Sequence, residues 1–96
     1  MRPRVTRHIG ALRRGESVTF RVLGDELPML EGRRVTMQPT RANELKRGDL
    51  VLCVIDGAQS LRYVAGVTPH VVRLDATLNC SGAAVPHDYV YAKRVA

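Results

Sequence analysis

The residues of this 96-residue chain that could do chemistry are few and scattered. His8, His70 and His87, with Cys53 and Cys80, are the candidate metal ligands. None of them forms a Cys-x-x-Cys or His-x-x-x-His pair, so neither a metal site nor a cofactor is expected. Asp25 and Glu26 are adjacent carboxylates, which share general acid and base work only when both converge on a substrate; side by side in a loop they are expected to be solvated. Ser17, Ser60 and Ser81 need a neutral histidine or lysine within reach to become nucleophiles, and nothing local pairs them with Lys46 or Lys93, the two lysines. Gly32 and Gly48 lack the spacing of a phosphate-cradling loop.

Whatever these residues do, a single small domain must position them. Ninety-six residues suffice for one core and not for two, and 45% hydrophobic with 25% charged residues is an ordinary globular balance. Fifteen Lys and Arg against nine Asp and Glu give a formal charge of +6, which favours solubility and attraction to anionic surfaces. The front end concentrates this charge in Arg2, Arg4, Arg7, Arg13 and Arg14, the candidate contacts of a nucleic-acid partner. No apolar run approaches the roughly 20 residues that span a bilayer, and the Arg-rich start lacks the apolar middle of a secretory signal. The expectation is a cytoplasmic protein without membrane contact, its two cysteines reduced.

The stretch that organises the chain is Glu44–Ile55. Val51, Leu52, Val54 and Ile55 form its most apolar run, rich in β-branched side chains, and predict a buried strand. Gly48-Asp49 before it and Asp56-Gly57 after it are turn signals, the second joining it to a return strand over 61–67 in which Gly66 predicts a bulge or bend. Alternation predicts further strands over 17–23, with Val18, Phe20 and Val22 on one face, and over 33–38, with Val35 and Met37 on one face and Pro39 closing it. Strands are also expected over 70–74 and 89–95, the latter with Val90 and Ala92 on a common face. Residues 1–6 are expected to be a loose arm, 7–14 a short helix that Gly15 ends, 24–32 a structured loop, and 79–86 a loop of small residues. Residues 7–96 thus read as one all-β, barrel-like antiparallel domain of about six short strands with at most one helix.

The ordered series Gly15-Glu16-Ser17-Val18-Thr19-Phe20-Arg21-Val22-Leu23-Gly24, Pro28-Met29-Leu30, Gly32-Arg33-Arg34-Val35, Pro39, Leu45-Lys46-Arg47-Gly48-Asp49-Leu50-Val51-Leu52 and Leu61-Arg62-Tyr63-Val64 resembles the LexA-like and signal-peptidase-like serine-lysine peptidases. The resemblance runs from about Leu12 to Val67, and Val85-Pro86 through Val95 is similar to the family's closing strand. It implies a β fold with a peptide-binding edge beside a Ser-Lys dyad. The departures fall on that dyad. Where the family has Gly-x-Ser-Met-x-Pro this chain has Gly24-Asp25-Glu26-Leu27-Pro28, and Leu61 stands where a lysine or histidine is expected. A carboxylate cannot serve as the alkoxide nor a leucine as the base. A second alignment sets Thr36-Met37-Gln38-Pro39-Thr40 on the same motif, with Thr36 as nucleophile.

Three functional expectations follow. The first is a non-catalytic interaction domain that captures a peptide, a protein or a second copy of the chain along Gly24, Asp25, Glu26, Leu27, Pro28, Leu61, Arg62 and Tyr63. The second is a processing peptidase using Thr36, with Lys46 or Lys93 as distant base. The third is a basic barrel that binds nucleic acid.

Overall fold

The computed structural model describes residues 3–22, 30–75 and 82–95, the side chains of 3–7 and of Ala58 excepted. One helix, α1 (Pro3–Arg13), is followed by seven strands: β1 (Val18–Arg21), β2 (Arg34–Pro39), β3 (Leu50–Ile55), β4 (Ala58–Val67), β5 (Val71–Leu74), β6 (Ala83–Pro86) and β7 (Val90–Arg94). Short 3-10 turns at Ala42–Glu44 and His87–Tyr89 precede β3 and β7. All neighbours are antiparallel, in the order β1-β2-β7-β3-β4-β5-β6, and the sheet curls into a half-barrel that brings β6 against β3. The all-β expectation holds.

Local chemistry sets the turns. Asp56 and Gly57 both have positive φ, 52° and 79°, the two-residue type I′ geometry whose twist matches the strands it joins, and Ile55 pairs with Ala58 directly across it. Gly48, at φ 94°, donates to Val64 O (2.8 Å), and Val64 donates back to Asp49 O (2.8 Å). These two bonds fix β3 against β4 before the first ladder pair, Leu50 with Tyr63. Gly15 ends α1: its N–H bonds Leu12 O and that of Glu16 bonds Ala11 O, both at 3.0 Å, the paired bonds of a left-handed helix stop.

Strand β3 is buried on both faces because the two halves of the chain close on it from opposite sides. Leu50 and Leu52 pack with Leu12 of α1, Val35 and Met37 of β2, and Leu61. Val51 and Cys53 pack with Val64, Val72, Leu74 and Val85 of β4, β5 and β6. Two irregularities bend the sheet round it. The β4–β5 register skips Ala65, between Val64 opposite Leu74 and Gly66 opposite Arg73, where the glycine predicts a bulge. The β3–β7 register skips Tyr91, between Leu52 opposite Ala92 and Cys53 opposite Val90.

Four expectations are corrected. Residues 3–6 belong to α1 rather than to a loose arm, because proline is tolerated in a first helical turn, where its missing N–H would have no intrahelical partner. Residues 83–86 form a strand rather than a loop, which makes seven strands among the described residues; alanines suit a strand that must lie close against β3. Val90 and Ala92 do not share a cluster, because the extra residue at Tyr91 turns one toward Val51 and Cys53 and the other toward Leu52. The first strand stops at Arg21, although Val22 beyond it is buried.

Candidate functional site

The structure describes the sequence-derived sites only in part. Gly24, Asp25, Glu26, Leu27 and Pro28 lie outside the described residues, as does Arg2. Thr36 lies mid-strand in β2 opposite Thr19, and their hydroxyl oxygens are 2.8 Å apart, a cross-strand hydrogen bond between two alcohols with no base in it. Leu61 and Arg62 are not on an open edge. β4 is internal in the strand order, Leu61 is buried against Leu52, and Arg62 is only 3% exposed. The Arg62 guanidinium is held by its own fold, Nε donating to Ser60 Oγ (3.2 Å) and an Nη to Asp75 O (3.1 Å). Tyr63, at 36% exposure, is the member of that trio open to solvent.

Lys93, His8 and Arg14 have structural partners of their own. Lys93 Nζ donates to Glu44 O at 3.3 Å, and Lys46 is exposed. His8 stacks on Phe20, ring centroids 4.8 Å apart. Arg14 pairs with Glu16 at 3.0 Å, a hydrogen bond and an attraction that raise the arginine and lower the glutamate from their ordinary pKa values, both on a fully exposed surface. Arg4 and Arg7 lie in α1, outside the described side chains, and Arg13 stands in its last turn. Among the described residues no three His, Cys, Asp or Glu side chains gather as metal ligands.

What the fold does build is an open groove of about 700 Å3 where the curl brings separate segments together. Five segments meet there: the last turn of α1, the β2–β3 connection from Pro39, the β4–β5 turn, the His87–Tyr89 turn and the start of β7. Its lining is mainly apolar, with Pro39, Val67, Pro69 and Val90 among the apolar residues, and Arg13, Arg41, Asn43, His87 and Asp88 among the polar ones. Arg13 lies over the Tyr91 ring, 5.5 Å from its centre, and donates to its hydroxyl at 3.4 Å, which holds the guanidinium in place by cation–π and hydrogen-bond contact.

The walls are braced from within. Thr68 Oγ1 accepts from the N–H groups of His70 (3.2 Å) and Val71 (3.0 Å), closing the β4–β5 turn on Pro69. His87 Nε2 bonds Thr68 O at 2.8 Å; a carbonyl only accepts, so Nε2 is the donor. The Glu44 carboxylate takes the Arg41 N–H (3.2 Å) and the Thr40 hydroxyl (3.3 Å). Neither the Arg13 nor the Arg41 guanidinium has a carboxylate partner among the described residues, where Arg14–Glu16 is the one ion pair. The sequence marks each wall as a chain break, at Pro39, Thr68-Pro69 and Pro86-His87, but no local pattern joins segments so far apart; only the curl does.

Charge is divided unevenly along the chain. Residues 1–49 hold eleven Lys and Arg against six Asp and Glu, residues 91–96 add Lys93 and Arg94, and residues 50–90 hold two cations against three carboxylates. The chain's positive balance therefore belongs to the segments of α1, β1, β2, the β2–β3 connection and β7, while β3 to β6 are close to neutral. No protein-family model, no curated sequence and no solved structure matches this chain.

Proposed function

We propose that this chain is a non-catalytic interaction domain whose groove receives an extended segment of a protein partner, apolar side chains resting on its apolar lining and carboxylates meeting Arg13 and Arg41. The observation that carries this reading is a mainly apolar groove lining that also holds two guanidiniums, Arg13 and Arg41, without carboxylate partners among the described residues. Apolar anchors supply most binding energy in such sites, and charge at the rim selects the partner and its register. The non-catalytic reading is supported by the aspartate and leucine at the positions of the resembled dyad and by the alcohol, not an amine, that partners Thr36.

The test is a fluorescence-anisotropy titration with two blocked peptides, one alternating Glu with Leu and Val and one alternating Lys with the same residues. Saturable binding of the acidic peptide alone is expected, with Arg41→Glu weakening it about tenfold, the equivalent of about 1.4 kcal/mol. Arg41 is exposed, so the variant folds as the parent does. Equal binding of both peptides, or acidic-peptide binding indifferent to Arg41→Glu, contradicts the reading.

A further inference from the structure

A second surface lies at the other end of β2 from the groove. Residues alternate along a strand, so with Val35 and Met37 buried, Arg34, Thr36 and Gln38 point the other way. Across the ladder Thr19 stands opposite Thr36, Arg21 opposite Arg34, and Lys93 of β7 opposite Gln38. Arg33 precedes Arg34 at the strand's start, and Arg21, Arg33 and Arg34 are all exposed. None of the three is in an ion pair among the described residues. Arg21 is steadied by a bond from its guanidinium to Gly32 O at 3.0 Å, which directs it along the same turn.

We infer that this outer face of β1 and β2, centred on Arg21 and Arg34 with the exposed Arg33 flanking it before the strand's start, binds the phosphate backbone of double-stranded nucleic acid. The chemistry selects the partner. Arginine presents a planar fork of donors that matches phosphate oxygens, and the neighbouring Thr19, Thr36 and Gln38 are further polar contacts. An acidic protein would need an apolar anchor, and the outward residues of β1 and β2 include none. Single strands are held by stacking bases on aromatic side chains, and these outward positions carry no aromatic. What remains is backbone recognition of a duplex, without sequence preference. The face is independent of the groove: Arg34 and Pro39 are five residues apart along β2, about 17 Å at roughly 3.4 Å per residue.

A labelled duplex of random sequence, titrated into the full chain at about 50 and about 200 mM salt, tests the inference. Three phosphate contacts give a slope of log affinity on log salt near −2.7, so affinity falls about 40-fold between the two conditions. The double variant Arg33→Glu with Arg34→Glu is expected to lose at least about tenfold in affinity and about two units of slope. Arg73→Glu, an equally exposed reversal on β5, is expected to change affinity less than about twofold, and Arg34→Glu alone gives its single-site match. Amide spectra of each variant confirm the fold. The inference is overturned by salt-insensitive or absent binding, by Arg73→Glu matching Arg34→Glu, or by the double variant binding like the parent. It is equally overturned if a polyglutamate peptide displaces the duplex at equal charge, which would mark the face as one for acidic proteins.

Discussion

The two halves of the molecule bury similar side chains against opposite faces of β3 and present opposite surfaces to solvent. On one side α1, β1, β2 and β7 cover Leu50 and Leu52 and carry the positive balance of the chain. On the other, β4, β5 and β6 curl over Val51 and Cys53 and are close to neutral. The contrast teaches that packing and surface charge are specified separately. Alternation along β1 and β2 gives the inward positions to Val18, Phe20, Val35 and Met37 and leaves the outward ones to arginine, threonine and glutamine.

The sharpest way to break that contrast is to open one side of the shared strand. Leu52→Ala removes a fully buried side chain from the cluster under α1 and is expected to cost about 2–5 kcal/mol, a large part of the stability of a domain this size. Denaturant melts measure the loss, and hydrogen exchange shows where it falls, with α1, β1 and β2 losing protection before β5 and β6. A uniform loss would mean the halves do not behave as separate regions. Gly57→Val strikes the hairpin that joins them. A β-branched residue at φ 79° is expected to destabilise by about 1–2 kcal/mol while leaving both clusters packed; a melt and an amide spectrum check the two parts of that statement.

The smallest effect is expected at Glu16. Its hydrogen bond to Arg14 and the charge attraction behind it lower its pKa, so its contribution is present above the ordinary carboxylate pKa and lost as pH falls through the lowered folded value. Both partners are fully exposed, where such pairs contribute little. Glu16→Gln should flatten the acid limb of the stability profile slightly and leave neutral-pH binding of either partner unchanged.

The features legible in the sequence were those fixed by local chemistry. Asp56-Gly57 could only be a tight turn, Gly48 needed its positive φ, and Gly66 marked a bulge, because each depends on neighbours in the chain. The alternation of β1 and β2 and the apolar run of β3 likewise reported burial directly. Pro3 misled, because a residue that breaks helices from within is harmless in the first turn. The strand at Ala83–Pro86, the bulge at Tyr91 and the groove were illegible, since each exists only once the sheet curls and brings β6 onto β3. The expectation of an all-β fold, which the turn signals and alternation carried, is met, whereas Leu61 and Arg62, expected along a binding edge, have their side chains in the interior.

The central claim is that a protein partner is received at the groove, apart from the arginine face at the far end of β2. Amide chemical-shift mapping during titration with the Glu-Leu-Val peptide tests it most directly. The account predicts saturable shifts gathered at Arg13, Arg41, Asn43, His87 and Tyr91, with Arg34 and Arg73 still. Shifts gathered at Thr19–Arg21 and Arg34 instead, or spread evenly over the exposed arginines, would contradict it.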